Sequence, residues 1–153
     1  MSILGVGPIL AIAGGIILFV ILLLQQVFGV SLSLPDSLQQ PIHIIGILSI
    51  VVGLLFYISS ARLLFRAFPA HRLETSGAFR FTRNPLYAAF ILLIVPGIAF
   101  LTNNLLVLLV SIVLFVVFKR TIGREEEYLR REFGREFEEY CHKVPQLVPF
   151  IKV

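Results

Sequence analysis

Charge is what this 153-residue chain has least of: Asp, Glu, Lys and Arg together make up 14% of it, and none stands before Asp36. With 58% hydrophobic residues and a mean hydropathy of +0.94, too few polar side chains remain to cover a soluble domain of this size. Cys141 is the single cysteine, which excludes a disulfide framework and a cysteine-based metal site within one chain. His43, His71 and His142 lie far apart without clustered partners, so no metal centre is expected. No P-loop and no GxGxxG fingerprint is present, and neither is an internal repeat or a low-complexity segment. The uncharged start also excludes a secretory signal peptide, which needs a basic n-region, a shorter apolar run and a small-residue cleavage site, so the first apolar stretch reads as a retained helix.

What is present is apolar helix. Four stretches, 5–28, 42–65, 86–102 and 104–118, stand against a requirement of about 20 residues per crossing. Only Thr102-Asn103-Asn104 separates the last two, which predicts a tight helical hairpin, with Pro96-Gly97 kinking its first arm. The expected fold class is all-α: a polytopic integral membrane helix bundle with four, or five, transmembrane helices and a cytoplasmic amphipathic C-terminal helix. It forms one domain, residues 1–66 supplying the first two helices and 67–153 the functional core. Gly5, Gly7, Gly14 and Gly15 point to close helix contacts on the first span. The amphipathic helix is read from Ile122, Leu129, Phe133, Phe137 and Tyr140 at helical spacing, with a bend at Gly134 and an extended strap from Val144 to Phe150.

All 13 Lys and Arg residues fall in two regions, Arg62 to Arg83 and Lys119 to Lys152. The positive-inside rule makes both cytoplasmic, together with the N- and C-termini. The net charge of +4 then reflects orientation in the bilayer and attraction to anionic headgroups, and gives no reason to invoke nucleic acid. Small size and the absence of a targeting segment point to a bacterial or archaeal inner membrane.

The polar chemistry gathers at the two ends of the hairpin. Arg83-Asn84-Pro85-Leu86-Tyr87 opens it, Asn84 as helix cap and Pro85 in the first turn, and Arg124-Glu125-Glu126-Glu127 follows its far end. Arg83 can snorkel to headgroups or face inward and bind a carboxylate; Tyr87 can be an aromatic-belt residue or a ligand contact. Arg83, Asn84 and Tyr87 share a face. The three glutamates can be solvated helix charge or, with Arg120 and Arg124 beside them, a place that attracts a cationic ligand. Thr75-Ser76-Gly77 marks a structured loop.

The string Thr75 to Tyr87, then Arg124-Glu125-Glu126-Glu127-Tyr128-Leu129, Phe133-Gly134-Arg135-Glu136-Phe137 and Tyr140, resembles the isoprenylcysteine carboxyl methyltransferase family between His71 and Ile151. The resemblance implies an S-adenosylmethionine-dependent membrane methyltransferase whose cofactor lies on the cytoplasmic side. Its cofactor contacts would fall on His71, Arg72, Leu73, Glu74, Phe79, Asn84, Pro85, Leu86, Tyr87 and Glu125. Two departures stand out. The family usually has His where this chain has Asn84, and the basic residue that engages the substrate carboxylate falls on Thr121, with Arg120 and Arg124 as its neighbours.

The chemistry agrees with that implication. Methyl transfer from a sulfonium is an in-line displacement, so the protein chiefly aligns donor and acceptor and needs no metal. Arg83 would hold a carboxylate acceptor, or Glu126 would act as base toward an amine. Arg120 and Arg124 would meet the substrate, a lipophilic or small carboxylate or thiol acceptor arriving through the bilayer. The rivals are a phospholipid N-methyltransferase, a membrane reductase using a nicotinamide cofactor, and a non-enzymatic assembly subunit.

Overall fold

A computed structural model describes residues 5–67, 69 and 72–149, all helix, turn and extended connection with no strand among them. Helix α1 runs Gly7–Phe28, with Pro8 in its first turn, and stops where Gly29 turns left-handed at φ 63°. Helix α2, Asp36–Ala67, starts six residues before the apolar run does. Asp36 stands where a carboxylate favours the helix dipole, and it accepts the Gln39 side-chain amide at 3.0 Å. Pro41 lies inside α2, yet so near its start that only one backbone bond is lost. At 32 residues α2 is about 48 Å long and outreaches a bilayer's hydrocarbon core of about 30 Å.

Helix α3 spans Pro85–Leu101 in three pieces: an α-helical turn, a π-helical stretch Ala89–Ile94, and an α-helical end from Val95. The expected kink at Pro96-Gly97 is thus resolved as a widened turn just before the proline, whose missing N–H cannot continue the ladder. Ser49 of α2 donates its hydroxyl to the Leu93 carbonyl in this stretch at 2.8 Å, satisfying an acceptor inside apolar surroundings. Helix α4, Leu105–Thr121, bends by 42° into α5, Gly123–Phe133. Gly134, at φ 50° and ψ −124°, breaks the amphipathic segment, and α6 follows as Arg135–Lys143.

Among the described residues two helices, α1 and α2, are long and apolar enough to cross a membrane, and a third is gained if the bent pair α4–α5 counts as one span. The count of four read from the sequence is not reached on these terms, because α3 is held to 17 residues, about 26 Å, between its Asn84-Pro85 start and the Thr102–Asn104 turn.

Helix α2 lies along α3, and α1 lies along α4. The first pair touches backbone to backbone. A Cβ on Gly46 would lie 2.8 Å from both the Gly97 carbonyl and the Leu101 amide, and one on Gly97 would lie 2.7 Å from Ile50. Of the glycines singled out on the first span, Gly14 meets Leu114 and Gly5 meets Glu125, while Gly7 and Gly15 face open space. At the end of the hairpin away from the charges, Asn104 and Gln25 exchange side-chain amide bonds at 3.1 and 3.2 Å, and Asn103 pairs with both backbone groups of Leu34.

Two apolar cores result. One joins α1, α3 and α4 through Leu10, Ile91, Leu114 and Phe118, and Leu147 of the strap completes it. The second, of Leu73, Phe79, Phe137, Tyr140 and Val144, lies beneath the C-terminal helices. Phe137 and Tyr140 are buried with Leu129 and Phe133 packed beside them, as the periodicity predicts, whereas Ile122, at the bend before α5, is buried in the first core.

Candidate active site

Successive residues of a helix point about 100° apart, so three adjacent glutamates cannot serve one site. Glu125 turns toward α3 and α1, Glu126 toward Arg83, and Glu127 outward to Arg130 and Arg131 at 3.4 and 3.0 Å. The acidic cluster read from the sequence is therefore dispersed. Arg120 and Arg124 are both exposed and join none of these pairs.

Arg83 faces inward. Its Nη2 donates to Glu126 Oε1 at 2.8 Å, and its Nη1 donates to the carbonyls of Cys141 and Val144, both at 3.0 Å. Only 13% of the Arg83 side chain and 17% of Glu126 are exposed, so this is a largely desolvated pair whose remaining donors are partly met by backbone. Arg83 Nε is buried and has no partner. The side chain is thus a brace between the hairpin and the C-terminal segment, with one donor left over.

Asn84 takes the cap position of α3, but its side chain makes no cap bond. Its Nδ2 instead donates to the Gln146 carbonyl at 2.9 Å, and the buried Thr82 hydroxyl donates to the same oxygen at 3.1 Å. The Arg83 amide donates to the Pro145 carbonyl at 2.9 Å, and Lys119 Nζ reaches Gln146 Oε1 at 2.8 Å. The Val144–Pro149 part of the strap is therefore stitched to the hairpin mouth; Phe150 lies outside the described residues. The sequence offered no signal for this use of Thr82, Asn84 and Gln146, because all three bonds span more than 25 residues.

Tyr87, one turn further in, directs its hydroxyl to Glu125 Oε2 at 3.4 Å, and its ring packs on Phe118 with centroids 5.4 Å apart. The backbone N–H of Val6, just before α1, lies 3.2 Å from the Tyr87 hydroxyl and 3.3 Å from Glu125 Oε2. Glu125 Oε1 makes no hydrogen bond within the described residues and is not sealed off. Burial pushes the Glu125 carboxyl above its usual range, the Val6 N–H and the Tyr87 hydroxyl oppose that, and Glu126 adds to it. Tyr87 and Glu125 do converge as the sequence predicts; the contribution of Val6 was not foreseen.

The loop before α3 is built on Glu74. Its Oε1 accepts the Ser76 amide at 2.8 Å and the Ser76 hydroxyl at 2.6 Å, and Arg72 lies 3.5 Å from Oε2. Burial pushes the Glu74 carboxyl up, but the two Ser76 bonds and Arg72 outweigh it and leave the group below its usual range. Leu73 and Phe79 are packed into the second core, Pro85 is fully buried, and Leu86 packs at the edge of that core. Tyr140 donates its hydroxyl to the Phe79 carbonyl at 2.6 Å, which pins the loop to α6. His71 lies outside the described residues. Burial raises the Cys141 thiol above its usual value, with Arg83 opposing the shift.

The family described as phospholipid methyltransferase matches residues 41–136, which starts well before the motifs and includes most of α2. Over 82 residues the chain is 40% identical to a probable protein-S-isoprenylcysteine O-methyltransferase of Oryza sativa subsp. indica, a region covering 54% of this chain and 43% of the relative. It is 35% identical over 81 residues to protein-S-isoprenylcysteine O-methyltransferase B of Arabidopsis thaliana, covering 53% and 41%. The corresponding Schizosaccharomyces pombe enzyme is 37% identical over 81 residues, covering 53% and 34%. The chain thus spans less than half the length of these curated relatives, and they come from plants and a yeast, which gives the expected prokaryotic membrane no support. No solved structure matches it. All but the first five residues of α2, the hairpin and the α5 helix with its glutamates fall within the matched span, and the chain belongs to the phospholipid methyltransferase family.

Proposed function

We propose that this protein is an integral-membrane methyltransferase that uses S-adenosylmethionine to methylate a lipophilic carboxylate acceptor. The observation that carries the reading is Glu125: a largely buried carboxylate with one oxygen tied to Val6 and Tyr87 and the other without a hydrogen bond among the described residues. A buried carboxylate needs a partner, and a ligand bearing hydroxyls and an ammonium group would supply one. The cofactor, when bound, supplies a sulfonium methyl group. Glu125, Tyr87 and the mouth of α3 at Asn84, Pro85 and Leu86 would contact it from one side, and the loop bearing His71, Arg72, Leu73, Glu74 and Phe79 from the other.

For the acceptor, the state of Arg83 and Glu126 decides between anion and amine. Glu126 is already paired with Arg83, so it would serve an amine as base only after that bond breaks. Arg83 Nε has no hydrogen-bond partner among the described residues but is buried, so an anionic oxygen would reach it only if the site opens. A carboxylate acceptor needs no base, and cancellation of opposite charges in a water-poor site favours its reaction with a sulfonium. The relatives are named as methylating oxygen on protein-S-isoprenylcysteine, which is consistent with such an acceptor. Arg120 and Arg124, exposed at the mouth, would attract the anion. In this reading α3 and α4 cross as a hairpin beside α1 and α2, four crossings in all, with both termini, α5, α6 and the strap on the cytoplasmic side. A second reading, N-methylation of a phospholipid amine, is favoured by the family's description.

Calorimetric titration of the detergent-solubilised protein with S-adenosylhomocysteine tests the cofactor. Binding that weakens at least about tenfold in Glu125→Ala is expected, from loss of a charged hydrogen bond with its buried partners. Unchanged binding in both Glu125→Ala and Arg83→Ala overturns the site, and a folded protein that binds NADPH, or neither nucleotide, overturns the activity. Labelled methyl transfer to a prenylcysteine or to phosphatidylethanolamine vesicles then separates the two acceptors.

A further inference from the structure

Gly5 and Val6 belong to neither motif, yet they touch the candidate site more closely than most residues that do. The Val6 N–H is shared between the Tyr87 hydroxyl and Glu125 Oε2, at 3.2 and 3.3 Å. Val6 is itself buried, and its carbonyl accepts the Leu10 amide at 3.1 Å, so the donor is fixed to the first turn of α1. Gly5 has φ +49°, and a Cβ there would lie 2.5 Å from Glu125 Oε2 and 2.9 Å from the Tyr87 hydroxyl. Conformation and space therefore both require glycine.

A glutamate side chain has three free torsions, and a site that depends on its direction must hold it. Here donors from two separate helical segments, α3 and the entrance to α1, converge on the same oxygen. The other oxygen makes no hydrogen bond among the described residues. We propose that the Gly5–Val6 segment is a positioning element for Glu125: with Tyr87 it fixes Oε2 and so aims Oε1 at a hydroxyl or ammonium of the bound ligand. The proposal rests on the reading above that Glu125 meets that ligand.

Val6→Pro removes the N–H at a φ of −83°, close to the value of about −65° that proline imposes, while it also replaces a buried side chain and restricts Gly5 before it. The full chain in detergent is titrated with S-adenosylhomocysteine over a series of pH values that brackets the acid limb of binding. The expected result is affinity about 3- to 10-fold weaker, the equivalent of one hydrogen bond to a charged group. The acid limb of the binding profile should also move to higher pH, because an N–H that favours the carboxylate has gone while Tyr87 and Glu126, the other titratable groups facing Glu125, are unchanged. Val6→Ala, which shortens the buried side chain but keeps the N–H, controls for lost packing and should keep the parent's affinity and acid limb. Should Val6→Pro fail to fold, Gly5→Ala, which pushes Oε2 aside, gives the same readout. Unchanged affinity and acid limb overturn the proposal, and so does tighter binding, which would make the segment a plug that competes with the ligand. Glu125→Gln run alongside isolates the premise: if it binds like the parent, the assignment of Glu125 fails, and if it loses the acid limb while Val6→Pro does not shift it, only the positioning role fails.

Discussion

Nη2 of Arg83 and Oε1 of Glu126 sit 2.8 Å apart across 43 residues of sequence, and the hairpin lies between them. The pair does what neither helix could do alone: it ties the start of α3 to the start of α5, at the point where α4 bends. Removing either partner strands a poorly solvated charge, at a cost of about 3 kcal/mol. Thermal unfolding in detergent should show Arg83→Ala and Glu126→Ala each strongly destabilised. The double variant should recover part of the loss, since no lone charge then remains. Additive losses in the double variant would mean that the two side chains act independently.

Acid should loosen the loop before α3. Glu74 is held below its usual value of 4.5, so its carboxylate contributes stability above that pH, and the contribution is lost as pH falls through the lower folded value. Glu125 has the opposite sign: its folded value is raised, so the native state binds the extra proton and stability falls as pH rises from 4.5 toward that value. Protection from hydrogen exchange at 72–80, taken relative to the intrinsic rate at each pH, should fall below about pH 4.5, the ordinary carboxylate range. Glu74→Gln should remove that pH dependence. An acid-insensitive loop in the parent would mean that the Ser76 bonds do not depend on charge.

Gly46→Ala and Gly15→Ala are a matched pair, both glycines being inside apolar helices. At Gly46 the new methyl meets backbone atoms of α3 at 2.8 Å, which no rotamer change relieves. The expected loss is about 1–3 kcal/mol, typical of overpacking. At Gly15 nothing lies within 4 Å, so the better helix former should be neutral or stabilising by about 0.5–1 kcal/mol. Unfolding in sodium dodecyl sulfate titrations reads both, and equal effects would contradict the close α2–α3 crossing.

Local signals account for what was legible. The apolar runs, the Asn84-Pro85 start, the Thr102–Asn104 turn and the break at Gly134 are each determined within a few residues, and all reappear as element boundaries. The buried stripe of Phe137 and Tyr140 follows from helical period. Long-range polar bonds were not legible. Asn84 reads as a cap because Asn before Pro usually caps, but the Gln146 carbonyl outcompeted its own helix. The three glutamates read as one cluster because sequence adjacency conceals the rotation between neighbours. Val6 carried no signal at all, since a backbone N–H is the same in every residue except proline.

The bonds from Arg83 to the carbonyls of Cys141 and Val144 reach 58 and 61 residues ahead. During translation, therefore, the guanidinium and the hairpin mouth are made long before the groups that complete them. The membrane helices can insert and pack while this corner is still open. The strap residues, among the last of these groups to leave the ribosome, close it, so a chain stalled or truncated before Val144 would carry its spans without a finished centre.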